Sequence, residues 1–118
     1  MTGPEALKKM RDYCLSLPDA SERPHFGQAI FYAGRRGVAS CGEKDGIWEI
    51  VVQLEPDHAT ALVAKDPRFQ RYTRAKDAVS VDVSRVTWSE VKALVEASYE
   101  RAQSGPATGR ATRARRKK

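Results

Sequence analysis

Two glycine-bearing turns, Gly34-Arg35-Arg36-Gly37 and Gly42-Glu43-Lys44-Asp45-Gly46, divide residues 28–54 into three short runs. Connections this brief join strands only in antiparallel fashion, since a parallel crossover needs about a dozen residues or more. The centre of the chain therefore reads as a β-meander. Ala29 to Ala33 is the first run, Val38 to Cys41 returns, and Ile47 to Leu54 is the strongest strand. In that strand Trp48, Ile50, Val52 and Leu54 fall on one side of the pleat, with Ile47, Glu49, Val51 and Gln53 on the other. The second side is half polar, so one face of the sheet is expected to meet solvent.

Helical periodicity flanks the meander. Thr2 and Glu5 form a T-x-x-E capping box, and Pro4 is tolerated in the first turn because its missing N–H would have no partner there. Ala6, Leu7, Met10, Tyr13, Cys14 and Leu17 recur at three- and four-residue steps, and Pro18 ends the helix. Cys14 lies on this apolar stripe and reads as a core thiol. Pro56 opens a second helix with Asp57 in its first turn and Ala59, Leu62 and Val63 on its apolar side; Asp66-Pro67 closes it. Val79, Val81 and Val83 alternate with Ser80, Asp82 and Ser84 in a half-buried strand. Thr87 and Glu90 repeat the capping box, opening a last helix with Trp88, Val91, Leu94, Val95, Ser98, Tyr99 and Ala102 on one face. The order α-β-β-β-α-β-α predicts a single α+β domain over residues 1–103, with a mainly antiparallel sheet flanked by helices.

Charge is divided unevenly along the chain. Of 21 basic residues, six (Arg110, Arg113, Arg115, Arg116, Lys117 and Lys118) lie in residues 104–118, leaving 15 to face 15 acidic ones, all at or before Glu100. The formal net charge of +6 thus belongs to the terminal segment, which is expected to be a disordered basic tail because its Gly/Pro/Thr/Ala/Arg composition cannot bury a core. Such a segment seeks polyanions or keeps a protein soluble. An apolar content of 41% suits a globular protein, and no run is apolar enough to span a membrane. The start, Met-Thr-Gly-Pro-Glu, lacks the plan of a signal peptide. Two cysteines, Cys14 and Cys41, without metal-type spacing point to a reduced, cytoplasmic protein.

The stretch Leu17-Pro18-Asp19-Ala20-Ser21-Glu22-Arg23-Pro24-His25-Phe26-Gly27 resembles the opening motif of the MmcQ/YjbR family of small bacterial proteins. The strand and turn after it, Val52 to Leu54 with Pro56 and Leu62, Asp66-Pro67-Arg68-Phe69, and Trp88, Leu94 and Ser98-Tyr99 extend the resemblance over about residues 4–103. It implies a frataxin-like, double-wing arrangement, and DNA binding is that family's usual label. Two departures stand out. Arg35-Arg36 replaces a lysine that often follows the first strand's glycine, and Asp77-Ala78 stands where a Gly-Trp often precedes the late strand. The family supplies no catalytic residues to carry over.

Lys65, Arg68, Arg71, Arg74 and Lys76 face only Asp66, with Phe69 and Tyr72 interleaved. Their three-residue spacing could align cations for phosphate, and the aromatics could stack on bases. The same run also reads as a solvated loop anchored by Phe69. Arg35 and Arg36 at a hairpin tip read either as a groove-reaching wing or as soluble turn charges. Glu22 and His25 suggest a hydrogen-bonded turn rather than half a metal site, which would need three or four ligands. Ser98 has no nucleophile elbow and reads as a packing position. Neither a catalytic set nor a cofactor motif emerges, so the expected role is non-enzymatic. Nucleic acid, DNA above all, is the expected partner, bound through Arg35, Arg36, Lys65, Arg68, Arg71, Arg74, Lys76 and the six tail cations. The alternative is a protein-interaction or scaffolding module.

Every apolar stripe and both capping boxes precede Ser104. Deleting residues 104–118 is therefore expected to move the melting temperature by no more than about 4 °C. Calorimetry of the full and shortened chains checks this; a shortened protein without a near-ultraviolet dichroism signal would refute it.

Overall fold

A computed structural model describes residues 1–103. The order is α1 (Gly3–Cys14), β1 (Ala20–His25), β2 (Gln28–Ala33), β3 (Arg36–Lys44), β4 (Ile47–Gln53), α2 (Pro56–Lys65), β5 (Gln70–Arg71), β6 (Ala78–Asp82), a short 3-10 turn (Val83–Arg85) and α3 (Trp88–Gln103). The six strands make one antiparallel sheet in the order β1-β2-β3-β4-β6-β5. The α+β class, the antiparallel sheet and the three helices agree with the sequence pattern. The tail expectation falls on residues 104–118, outside those described. No helix among the described residues is long and apolar enough to cross a membrane.

Two strands were not legible. The β1 strand lies at the sheet edge, paired only with β2, and reads Ala-Ser-Glu-Arg-Pro-His. An edge position tolerates Pro24 and needs no apolar alternation, so its sequence carries no strand signal. The two-residue β5 is too short to show a period, and its pairing of Gln70 with Ser80 gives the other edge. Turn positions also shift. The β3 strand runs on to Lys44, and the hairpin closes at Asp45-Gly46 with φ of 54° and 83°. The β1–β2 hairpin closes at Phe26-Gly27 with φ of 49° and 82°. Both pairs match the positive-φ, two-residue turn whose twist suits right-handed strands. The first helix stops at Cys14 rather than Leu17, with the Leu15 N–H returning to Arg11.

The alternation of β2, β3, β4 and β6 divides the sheet into two unlike faces. Ala29, Phe31, Ala33, Cys41, Ile50, Val52, Val79 and Val81 point into the core, where they meet Ala6, Met10 and Cys14 of α1 and Val91 and Val95 of α3. Both capping boxes form with both reciprocal bonds, Thr2 with Glu5 and Thr87 with Glu90. Ser98 donates to the Val38 carbonyl at 2.8 Å in the buried interior, a packing role, and the Tyr99 hydroxyl donates to the Pro18 carbonyl. Phe69 is buried and anchors the 65–76 run to the core, as its reading as a loop anchor expects. Gly3 is required by contact: a Cβ there would stand 2.0 Å from the Trp48 ring, so the indole lies flat on the start of α1.

Trp88 heads the apolar stripe of the last helix but does not sit deep in the core. It is only partly buried, its ring set edge-on to Tyr13 at 6.0 Å, because the start of α3 sits at the rim of the core. Phe31, at 1% exposure, is the most deeply buried aromatic among the described residues. Phe31→Ala is expected to cost about 3–5 kcal/mol in urea unfolding, whereas Trp88→Ala should cost less than about 3 kcal/mol. Gly3→Ala should cost about 1–3 kcal/mol through overpacking against Trp48; a neutral result would show that the indole can move aside.

Candidate functional site

The five cations of residues 65–76 do not share a face. Lys65 ends α2, the chain turns at Asp66-Pro67, and β5 carries Arg71 to the sheet edge. Helical spacing therefore stops before the second cation. Arg68 faces inward along the surface: it grips Asp66 through Nε and Nη2 at 3.0 and 2.7 Å, and Glu90 through Nη1 and Nη2 at 3.2 and 2.8 Å. Its Nη1 also donates to the Arg85 carbonyl at 2.9 Å. Arg71 donates to Thr60 of α2 and approaches Asp77 at 3.7 Å. Lys65, Arg74 and Lys76 are exposed and form no ion pair among the described residues.

The Arg68 knot is electrostatically tight. The Arg68 hydrogen bonds, with help from the Thr87 N–H, hold the Glu90 carboxyl down to about 2, and Arg68 likewise lowers Asp66. Arg68 is raised in turn by both carboxylates. A guanidinium clamped by two carboxylates is not free to clasp a phosphate.

On the face of the sheet away from the core, a cleft of about 440 Å³ opens. Ile30, Ser40 and Val51, aligned across β2, β3 and β4 by the strand register, form its floor. At one end the His25-Phe26 turn stands up, with the two rings edge-to-face at 4.6 Å. At the other stands the 72–77 segment, presenting Tyr72, Arg74 and Ala75. That segment is pinned by Tyr72 N–H to the Ala78 carbonyl at 2.9 Å, by Leu54 N–H to the Asp77 carbonyl at 3.1 Å, and by the Gln53 side-chain amide to the Lys76 carbonyl. The cleft escaped the sequence reading because its parts come from four separated stretches. The half-polar side of β4 was the available signal, and Val51 and Gln53 from that side do line it.

Glu22 and His25 do not pair. Three residues apart on a strand they point to opposite faces, and Glu22 instead binds Arg11 of α1 through two bonds of 2.8 and 2.7 Å. Arg35 occupies the β2–β3 turn and is exposed, while Arg36 starts β3 and is half-buried. Burial pushes the Cys14 thiol up to about 12 and the Cys41 thiol to about 11, so both stay protonated at neutral pH and neither supplies a nucleophile. Arg110, Arg113, Arg115, Arg116, Lys117 and Lys118 lie outside the described residues.

The Arg68 knot has a pH signature. Glu90 is depressed in the folded state from an unfolded value of about 4.3, so its contribution is complete above that value and is lost as pH falls toward about 2. Glu90→Gln is expected to lower the melting temperature at neutral pH and to flatten its fall between about pH 4.5 and 2. Melting curves across that range check this; an unchanged acid limb would mean that other carboxylates govern it.

A family model described as YjbR matches residues 15–101 of the chain. No curated protein gives a significant match.

Proposed function

The chain belongs to the YjbR family, and we propose that it is a non-enzymatic nucleic-acid-binding protein that holds DNA mainly by its phosphate backbone, with little sequence specificity. The observation that carries this reading is the partition of charge: residues 1–103 are formally neutral, and the whole +6 lies in residues 104–118. A cationic segment attached to a neutral body supplies phosphate contacts without fixing donors at base edges, and it is base-edge contacts that read sequence. The body adds Arg35, Lys65, Arg74 and Lys76, which are exposed. Arg68 and Arg71 serve the fold instead, so phosphate contact falls to their neighbours.

The test is the salt dependence of binding to a labelled DNA duplex. If all six tail cations neutralise phosphates, the slope of log K against log salt is roughly −5. Truncation after Gln103 is expected to remove most of that slope. Changing Lys65, Arg74 and Lys76 together to alanine should remove up to about three units, and Arg68→Ala essentially none. Binding that ignores salt and survives truncation would overturn the reading. A chain that binds no nucleic acid and retains a partner through nuclease treatment would favour the protein-interaction role.

A further inference from the structure

We propose that the cleft on the open sheet face holds one unpaired base of a single-stranded nucleic acid, stacked on Phe26 at its mouth, with Tyr72 lining the far end. The proposal rests on the nucleic-acid reading above and deepens it by naming the form that is bound. Four observations carry it.

The first is Phe26 itself. It is 92% exposed and takes a left-handed φ of 49° at a turn position that Asn, Asp or Gly occupies without penalty. A bulky residue there strains the backbone, and the ring gains no burial in return. Folding alone would not select it. Among the described residues its ring neighbour is His25, edge-to-face with it at the mouth of the cleft.

The second is size. A cavity of about 440 Å³ sits in the range of small-molecule sites, roughly 300–1,000 Å³. It admits a single heteroaromatic ring with part of its sugar, and it is far too small for a duplex. A paired base hides both ring faces in the stack, so only an unpaired one can enter.

The third is the chemistry of the lining. Ile30 and Val51 give an apolar floor suited to a ring. The Ser40 hydroxyl and the Gln28 amide, also at the cleft, have no side-chain partner among the described residues and match the mixed donors and acceptors of a base edge. Tyr72 is half-buried at the far end, able to offer a second stacking surface of the kind that single-strand binders use.

The fourth is charge. Arg74 and Lys44 stand at the cleft beside a single carboxylate, Glu43, so the mouth favours an anionic ligand. Arg23 lies on the same sheet face, over the Tyr32 ring at 5.2 Å, and extends the cationic path along the strands.

The experiment uses the full chain with a labelled oligothymidine single strand, an abasic strand of equal length, and a duplex. At equal salt the single strand should bind about 5- to 100-fold tighter than the abasic strand, because it alone carries a base to stack. Phe26→Ala and Tyr72→Ala should each weaken the single strand about 5- to 100-fold while leaving duplex affinity unchanged. Phe26→Tyr, which keeps the ring face, should bind as the unaltered chain does. Phe26 is a surface residue, so its variants remain usable if Tyr72→Ala fails to fold. The amide signals of Ile30, Ser40 and Val51 should shift on titration with the single strand. Equal affinity for base-bearing and abasic strands, or shifts confined to other residues, would overturn the cleft while leaving the phosphate reading intact. Absence of binding to all three probes would overturn both.

Discussion

Arg68 joins three parts of the chain: the end of α2 through Asp66, the 3-10 turn through the Arg85 carbonyl, and the first turn of α3 through Glu90. Glu90 is at the same time the reciprocal member of the α3 capping box. One carboxylate therefore fixes where the last helix begins and where the chain leaves the second helix. Immediately after Arg68 comes Phe69, buried in the core, and then β5, which pairs with β6. The position of Tyr72 and Arg74 follows from that sequence of anchors. If the knot loosened, the far wall of the cleft would lose its support before the central strands did.

This arrangement explains why a count of cations misleads for this family member. Five basic residues in twelve positions look like one surface, yet the fold uses them for different ends. Arg68 and Arg71 neutralise carboxylates and tie elements together, while Arg74 is turned toward the cleft. Guanidinium is suited to the structural task because its planar fork satisfies two carboxylates at once. Exposed lysines such as Lys65 and Lys76 are left for solvent or for a polyanion.

The sequence was most legible where local chemistry decides the outcome. The two T-x-x-E boxes, the alternation of Ile50, Val52 and Leu54, and the turn glycines Gly34 and Gly46 each act within a few residues and appear as read, whereas Gly37 and Gly42 fall inside β3. It was least legible where distant pairing decides. The β1 strand has no apolar period because its outer edge meets water, and only its pairing with β2 makes it a strand. The direction of Arg68 depends on Glu90, 22 positions away. The cleft is the extreme case, since Ile30, Ser40 and Val51 become neighbours only through strand register. What the sequence did expose was the negative of the cleft, a sheet face too polar to be core.

That face poses a physical problem of its own. Val51 and Ser40 on it are only 7% and 9% exposed, although α1 and α3 pack on the other side. The His25-Phe26 turn at one end and the 72–77 segment at the other flank it. A sheet flanked this way, with its helices on the other side, carries a concavity rather than a filled core. Concavities with apolar floors and polar rims are where proteins hold small rings, and here the rim includes an aromatic in a backbone conformation that costs stability. Strain of that kind persists where the surrounding structure enforces it and gathers at working sites. The tight hairpin enforces it at Phe26, because the register of β1 on β2 leaves two residues to make the turn. The same short turn that closes the sheet edge thus fixes the ring at the cleft mouth.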